Sequence, residues 1–372
     1  MIYLLGGAGN WNFGDELMVR LWLNYLCARP LKDTIVVEWG ASKKNHVLSA
    51  YAEIGNIKFE NTLFLLATGP KEKLKFWEAF ERGLNFFKNG GFANYPQYKH
   101  IQKRFPDIRL MHMHGGGFLN TLWPYHAFKL GLMVAAKRTF GCKIAATGLG
   151  LIPFPDVPEN LLPTFKEALN EFECFEVRDV ESYDVLLRYC EPGANVFCGL
   201  DDTFLLAQNP SQGENALHIS HVGDPSKHDT MKLLEQLKNY NFSAVYFWAC
   251  TSNDEKIFPF VCNVFPKAIQ LSLADLVLRP LPVSVGDFMV TARFHPHLLA
   301  ARLGAIGVYT DGGFYYKPKH GSIIRLGSPF VLAADSLPVH PQTNPSRSFR
   351  PMMMFDSERV AQKLKTAEYI YG

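Results

Sequence analysis

The chain has 372 residues, 48% of them hydrophobic and 20% charged, ordinary values for a folded protein with a sizeable core. At about 150 residues per domain, that length points to about two to three domains. Lys plus Arg (38) nearly balances Asp plus Glu (35), for a net charge of +3. This argues against a nucleic-acid protein working by extensive phosphate neutralisation, and leaves room for a local basic pocket for a small anion.

The chain opens on a short strand, Ile2–Leu5, that runs straight into glycines. There is no basic leader and no apolar stretch near the ~18 residues that span a bilayer, so a cytoplasmic protein is expected. The seven cysteines are scattered, odd in number and without a C-x-x-C pair. That pattern predicts buried thiols in a reducing compartment, not a disulfide framework or a zinc cluster.

Further strands are predicted at Thr34–Trp39, Thr62–Leu66, Arg109–His112 and Lys143–Thr147, with helices such as Glu16–Cys27, Lys71–Lys88 and Leu122–Lys137 between them. Phe172–Val177 and Val180–Tyr189 continue the series as strand and helix. The alternation predicts a doubly wound α/β unit with a mainly parallel sheet. A polar stretch, Gly199 to Gly213, reads as a link. A second series follows: strands at Ala216–His221, Ser243–Trp248, Asp287–Thr291 and Ala305–Tyr309, helices at Thr230–Lys238, Asp254–Val264 and Pro296–Leu303. Ser336–Pro351 has little periodicity, and Ser357–Tyr369 reads as a terminal helix. The expected domains are therefore 1–199, 214–335 and a tail over 336–372.

Three glycine loops follow strands of the first series. Gly6-Gly7-Ala8-Gly9-Asn10-Trp11-Asn12-Phe13-Gly14-Asp15-Glu16 opens a helix, where unpaired N–H groups favour an anion. It is neither a strict dinucleotide fingerprint nor a Walker loop, and Asp15 is read either as a helix cap or as a site residue. His112-Met113-His114-Gly115-Gly116-Gly117 lets a ligand approach the backbone closely. Its two histidines share one strand face, but the spacing suggests no third ligand, so no metal is expected and His114 reads as a hydrogen-bonding residue for a sugar hydroxyl. Thr147-Gly148-Leu149-Gly150 ends the next strand, and the carboxyl ends of parallel strands bring such loops to one crevice. Gly90–Tyr98, rich in glycine and aromatic residues, is either a surface connection or a sugar-binding lip.

Basic residues cluster later. Val177-Arg178-Asp179 places an arginine between strand and helix, or makes a surface ion pair of Arg178 with Asp179. Thr291-Ala292-Arg293-Phe294-His295-Pro296-His297 puts Arg293 and His295 at a helix N-terminus, with Pro296 suited to the first helical position and His297 read as packing. An arginine beside a histidine suits a bound carboxylate or phosphate plus proton transfer. Phe314-Tyr315-Tyr316-Lys317-Pro318-Lys319-His320-Gly321 offers further cations, or is a solvated loop.

Taken in order, Asn12-Phe13-Gly14-Asp15-Glu16, Gly115-Gly116-Gly117, Gly148-Leu149-Gly150, Val177-Arg178-Asp179, Asp202-Thr203-Phe204, Arg293-Phe294-His295, and Tyr316 with Lys319 resemble the polysaccharide pyruvyl transferase family. The resemblance implies an α/β fold of two Rossmann-like domains facing a cleft, like the GT-B glycosyltransferases. It implies pyruvate transfer from phosphoenolpyruvate, the co-substrate, to a sugar of a surface-polysaccharide precursor, with a cyclic ketal and phosphate as products and no cofactor. It implies a saccharide acceptor, free or lipid-linked, no nucleic-acid partner, and a cytoplasmic protein that can work at the inner face of the membrane. By the same resemblance Arg178, Arg293, Lys319 and Tyr316 bind the donor, and Asn12, His114, Gly116 and Gly117 bind the acceptor. His295 and Asp15 are catalytic. Pro296-His297 departs from the small or apolar residues expected there, and makes His297 a competitor of His295 for the proton. The alternatives are a nucleotide-sugar-dependent GT-B glycosyltransferase and an inactive sugar- or anion-binding relative.

Overall fold

The computed structural model describes residues 1–40, 47–69, 73–213, 215–222, 229–311, 313–333, 336–339, 341 and 351–372. Part of the helix expected from Lys71, and most of the aperiodic stretch before Pro351, lie outside them. Internal contacts divide the chain into two units: residues 1–10, 15–205 and 363–372, and residues 11–14 and 206–362.

In the first unit the described residues form a seven-stranded sheet, ordered β3-β2-β1-β4-β5-β6-β7. Its strands are β1 (Ile2–Leu5), β2 (Ile35–Glu38), β3 (Ile57–Glu60), β4 (Leu110–Met113), β5 (Lys143–Leu149), β6 (Cys174–Val177) and β7 (Val196–Cys198). Every pairing is parallel. The helices are α1 (Phe13–Cys27), α2 (Thr62–Thr68), α3 (Phe76–Leu84), α4 (Lys99–Gln102), α5 (Tyr125–Phe140), α6 (Leu162–Asn170) and α7 (Val180–Leu187). Central strands β1, β2, β4 and β6 are buried along their whole length, which explains why they read as near-continuous apolar runs. The strand order reverses direction between β1 and β4, the place where open α/β sheets bind ligands.

The second unit repeats the plan, with a six-stranded sheet ordered β11-β10-β9-β13-β14-β15 among the described residues. The strands are β8 (Ser211–Gln212), β9 (Leu217–Ser220), β10 (Val245–Trp248), β11 (Ile269–Leu271), β12 (Ser284–Val285), β13 (Phe288–Thr291), β14 (Ile306–Tyr309) and β15 (Val331–Leu332); β8 and β12 form a separate pair. The helices are α8 (Asp229–Leu237), α9 (Phe258–Val264), α10 (Leu273–Leu278), α11 (Phe294–Arg302), α12 (Lys317–Arg325), α13 (Pro351–Met354) and α14 (Asp356–Tyr371). Here the order reverses between β9 and β13. Both units are Rossmann-like, as expected. No helix of the described residues is long and apolar enough to cross a membrane.

One strand is misplaced by the sequence reading. Thr62–Leu66 lies in helix α2, and the strand is the alternating Ile57-Lys58-Phe59-Glu60 just before it. Thr62, Leu63, Leu66 and Ala67 are the buried residues of α2, a helical spacing hidden within a continuous apolar run. The cysteines are free thiols, but only Cys142, Cys174 and Cys250 are buried, and Cys27 and Cys198 are exposed.

The last helix returns to the first unit to complete a buried ion cluster. Lys363 Nζ, on α14, pairs with Glu176 Oε2 and with Asp202 Oδ1 (2.6 Å), and donates to Leu200 O (2.8 Å). All three ionic side chains are at most 2% exposed. Burial alone lowers the lysine's pKa; the carboxylates outweigh it and raise it. Removing one member of such a cluster leaves uncompensated buried charge. Lys363→Met is therefore expected to cost about 3–5 kcal/mol in urea unfolding. Arg188→Gln, at the exposed pair with Asp156, should change it by less than about 1 kcal/mol. Equal effects would remove the cluster from its structural role.

Candidate functional site

In the second unit, buried β13 ends at Thr291 and the chain turns into α11 with Arg293 as its extended N-cap residue. The Arg293 side chain is held at three points. Nε donates to His221 O (2.9 Å), Nη2 pairs with Asp254 Oδ1 (2.5 Å), and Nη2 lies 3.4 Å from Thr251 Oγ1. Asp254 is buried and accepts from Thr251 N (3.0 Å) and Thr251 Oγ1 (2.9 Å). Nη1 makes no hydrogen bond among the described residues. The result is an immobilised guanidinium with one edge open at a helix N-terminus, where anions are favoured.

His295 follows in the first turn, partly exposed, and Pro296 is the third helical residue, where a missing N–H is still harmless. The imidazole lies so close to Gly14 that an added Cβ would fall 1.8 Å from Nδ1, which only glycine avoids. The segment 11–14 belongs to this unit. Asn12 bridges to Thr251, Phe13 N donates to Cys250 O (2.9 Å), and the Phe13 ring stands edge-on to Trp248. Asn12 Oδ1 accepts from Gly14 N (3.1 Å), so the cap of α1 is Asn12, and Asp15 is in its first turn. Asn12 thus sits in the unit of Arg293, apart from the other residues expected to bind the acceptor.

The stretch after β14, read either as a source of further cations or as a solvated loop, leads into α12. Tyr316 is its N-cap residue, and buried Lys319 places Nζ 3.5 Å from the centre of the Tyr315 ring. Burial raises the Tyr316 phenol, with Arg293 opposing it. His297 is fully buried, its Nδ1 2.9 Å from His320 Nδ1 and its Nε2 2.8 Å from Ser328 Oγ. Burial holds its pKa well below the ordinary value.

In the first unit the loops after β1 and β4 carry the other group. His114 is fully buried with its ring against Gly6. Asp15 lies beside Gly7 and Gly116; a Cβ on Gly116, whose φ is +150°, would come 3.2 Å from Asp15 Oδ1 and 2.4 Å from the Phe118 ring. Gly117, partly exposed, continues this loop and accepts at its carbonyl from Asn120 Nδ2 (2.9 Å). Four residues beside them were not singled out from sequence: Glu38, Tyr125, His126 and Lys129. Lys129 Nζ pairs with Glu38 Oε2 (2.7 Å) and donates to Gly6 O (3.1 Å). Burial pushes the Lys129 pKa down and the Glu38 pKa up. A lysine inside the buried stripe of α5, three residues after His126, is the signal that could have found this pair.

His112 is spoken for: Nδ1 meets Tyr371 OH (2.6 Å) and Nε2 meets Thr147 Oγ1 (2.9 Å). No group of three or more His, Cys, Asp or Glu among the described residues could hold a metal ion. Arg178 makes no surface pair with Asp179. It is buried and paired with Asp201 (2.7 Å), while Asp179 caps α7 by accepting from Ser182 N. Of the expected donor residues, Arg293, Tyr316 and Lys319 share the second unit and Arg178 is in the first.

The model of the polysaccharide pyruvyl transferase family matches residues 78–269, just over half of the chain. The chain belongs to the polysaccharide pyruvyl transferase family. No curated protein matches it. Among solved structures, Anabaena HepE in complex with UDP is 12% identical with a TM-score of 0.53, over 99% of this chain and 98% of that one. UDP-GlcNAc 2-epimerase from Neisseria meningitidis bound to UDP-GlcNAc is 11% identical with a TM-score of 0.51, over 98% and 99%. Sucrose-phosphate synthase from Thermosynechococcus elongatus is 11% identical with a TM-score of 0.50, over 99% and 98%. At these identities the likeness is one of fold, which is GT-B-like. The pyruvyl transferase match takes in the Gly115–Gly117 and Gly148–Gly150 loops and Asp202, and ends before Arg293.

The buried histidines of the first unit make a pH test. Burial pushes His114 down to about 4 and His112 to about 3. Both stay neutral in the folded chain at about pH 5, where an unfolded histidine, titrating near 6.5, is charged. Their contribution to stability is therefore complete above about pH 6.5 and is lost as the pH falls through about 4. Each such histidine adds up to about 1.4 kcal/mol per pH unit to the slope of unfolding free energy. His114→Gln should flatten that slope between about pH 6 and 4.5; an unchanged slope would contradict a neutral, buried His114.

Proposed function

We propose that the chain transfers pyruvate from phosphoenolpyruvate to a sugar of a surface-polysaccharide precursor, forming a cyclic ketal and releasing phosphate. The observation that carries this reading is Arg293, fixed by Asp254 and His221 O at the head of α11 with Nη1 open. A planar, permanently charged guanidinium suits a carboxylate or phosphate, and the helix end adds to the same field. Lys319 and Tyr316, at the head of α12, supply a second cation and a phenol in the same unit. Arg178 keeps its ion pair with Asp201 and steadies the Gly148–Gly150 loop, where its N–H donates to Leu149 O (3.0 Å).

The chemistry balances with these residue types. His295 gives a proton to the methylene carbon of phosphoenolpyruvate, and the adjacent carbon becomes electrophilic. A sugar hydroxyl bonds to that carbon, and its proton restores the acid. The carbon–oxygen bond to phosphate breaks, a second hydroxyl closes the ring, and its proton leaves with phosphate. Asp15 orients the attacking hydroxyl, with Gly116 and Gly117 beside it as acceptor contacts, while His114 is fully buried against Gly6. The steps need no cofactor. The acceptor, free or lipid-linked, is a sugar with two suitably spaced hydroxyls.

Phosphoenolpyruvate at about 100 times its dissociation constant should stabilise the protein by about 2.7 kcal/mol in thermal unfolding. Arg293→Ala should abolish that shift. Stabilisation by a nucleotide sugar instead would support the glycosyltransferase alternative, and no stabilisation by either would favour the inactive relative. His295→Ala should keep the shift and lose at least about 100-fold in turnover, the usual weight of a general acid. Gly14→Ala, which crowds the His295 ring, should follow it in turnover while still binding phosphoenolpyruvate. A fully active Gly14→Ala would show that the position of the imidazole does not matter.

A further inference from the structure

A cavity of about 330 Å³ in the first unit lies away from the glycine loops, lined by Leu65, Leu66, Arg82, Tyr95, Gln97 and Tyr98. Its wall is the aromatic loop that precedes α4, together with α2 and α3. The volume falls at the low end of the range for small-ligand pockets, ~300–1,000 Å³. That is room for one sugar residue.

Arg82 decides what the cavity suits. Nη2 donates to Leu66 O (2.7 Å) and reaches Tyr95 OH (3.4 Å), and the guanidinium carbon stands 4.7 Å from the centre of the Phe128 ring. Nη1 is buried and has no hydrogen-bond partner among the described residues. No carboxylate pairs with Arg82 among the described residues. The buried cations Lys129, Arg178, Arg302 and Lys363 each have one. Arg82 lines the cavity, and a guanidinium cannot shed its charge, so the cavity favours an anion. Tyr95 and Tyr98 offer ring faces and hydroxyls, and Gln97 an exposed amide, for a polyhydroxylated ring.

The cavity is linked to the glycine loops through shared elements. Phe64, next to Leu65 on α2, stands edge-on to Tyr125 of α5 (6.0 Å), and the Tyr125 phenol feels the Asp15 carboxylate. We infer that this cavity is a second saccharide subsite, which holds a carboxylate-bearing sugar residue of the acceptor. The inference rests on the saccharide-acceptor reading above.

The test is calorimetric titration of the full chain with methyl glucuronoside, methyl glucoside and inorganic phosphate. The glucuronoside should bind at least about tenfold more tightly than the glucoside, as expected for one added charge-assisted contact. Arg82→Gln should erase that margin, and Tyr98→Ala should weaken both sugars. Equal affinities, or an unchanged margin in Arg82→Gln, would overturn the inference. So would phosphate binding as tightly as the glucuronoside, which would mark a general anion site. If Arg82→Gln does not fold, Tyr98→Ala and Gln97→Ala decide the matter, since neither side chain is buried. Phosphoenolpyruvate stabilisation of the same samples separates the two readings. A missing glucuronoside preference with that stabilisation intact overturns only this subsite. The reverse overturns only the donor assignment.

Discussion

The first unit depends on one buried carboxylate. Asp202 is fully buried and accepts from Gly115 N (2.6 Å), Trp22 Nε1 (2.7 Å) and Thr147 Oγ1 (2.9 Å) while paired with Lys363. It therefore ties together helix α1, the glycine loop after β4, strand β5 and helix α14. Its partner Glu176 does the same one strand over, accepting from Gly148 N (3.3 Å) and Leu200 N (3.2 Å). Glycine loops have little to hold them except backbone contacts, since they carry no side chains to pack. Here their N–H groups are bound to carboxylates that cannot move, because Lys363 and the core enclose them. The desolvation of three charges is the cost of loops that keep one shape before any ligand arrives.

The second unit uses the same device with a cation as the group held in place. Asp254 is the buried anchor and Arg293 the group being aimed. Further back, Asp287 accepts from Ala216 N (2.9 Å) and Ser284 N (2.7 Å) and meets His218 Nε2 (3.1 Å), whose Nδ1 accepts from Trp248 Nε1 (3.2 Å). Trp248 in turn packs edge-on against Phe13. A chain of contacts therefore runs from β13 through β9 and β10 to the residues flanking Gly14, and so to the ring of His295. Each link is buried, and each polar link has a partner, as a low-dielectric interior requires.

Much of this was legible in sequence because it follows from short-range rules. Four-residue apolar runs mark the central strands, and glycines mark loops that turn at strand ends. What the sequence hides is pairing over distance. Lys363 lies 187 residues from Glu176, and Lys129 meets Glu38 from a helix that gives no hint of the strand it faces. Arg178 and Asp179 look like neighbours that pair, yet each has a better partner elsewhere, Asp201 and the N–H of Ser182. The motif at residues 12–16 reads as one loop, but the chain passes from one unit to the other between Gly14 and Asp15. A helix can carry such a division because its backbone bonds are internal, whatever each half packs against. Thr62–Leu66 failed for another reason: the four consecutive apolar residues Leu63–Leu66 carry no period, and only packing decides between helix and strand.

In the reaction proposed above, burial rather than position separates His295 from His297 as the proton carrier. A general acid must hold a proton at working pH and must reach the reacting atom. His297 does neither: it stacks on Tyr309 and His320, both its nitrogens are engaged, and burial with a second histidine beside it keeps it neutral. A proton placed there would sit 2.9 Å from another imidazole, itself pushed down to about 4. His295 sits two residues nearer the open end of α11, partly exposed, against a glycine that makes room for its ring. The two histidines differ by two positions in a helix, which turns their side chains to different faces. The packed face of α11 takes the histidine that stays neutral, and His295, partly exposed, lies on another face.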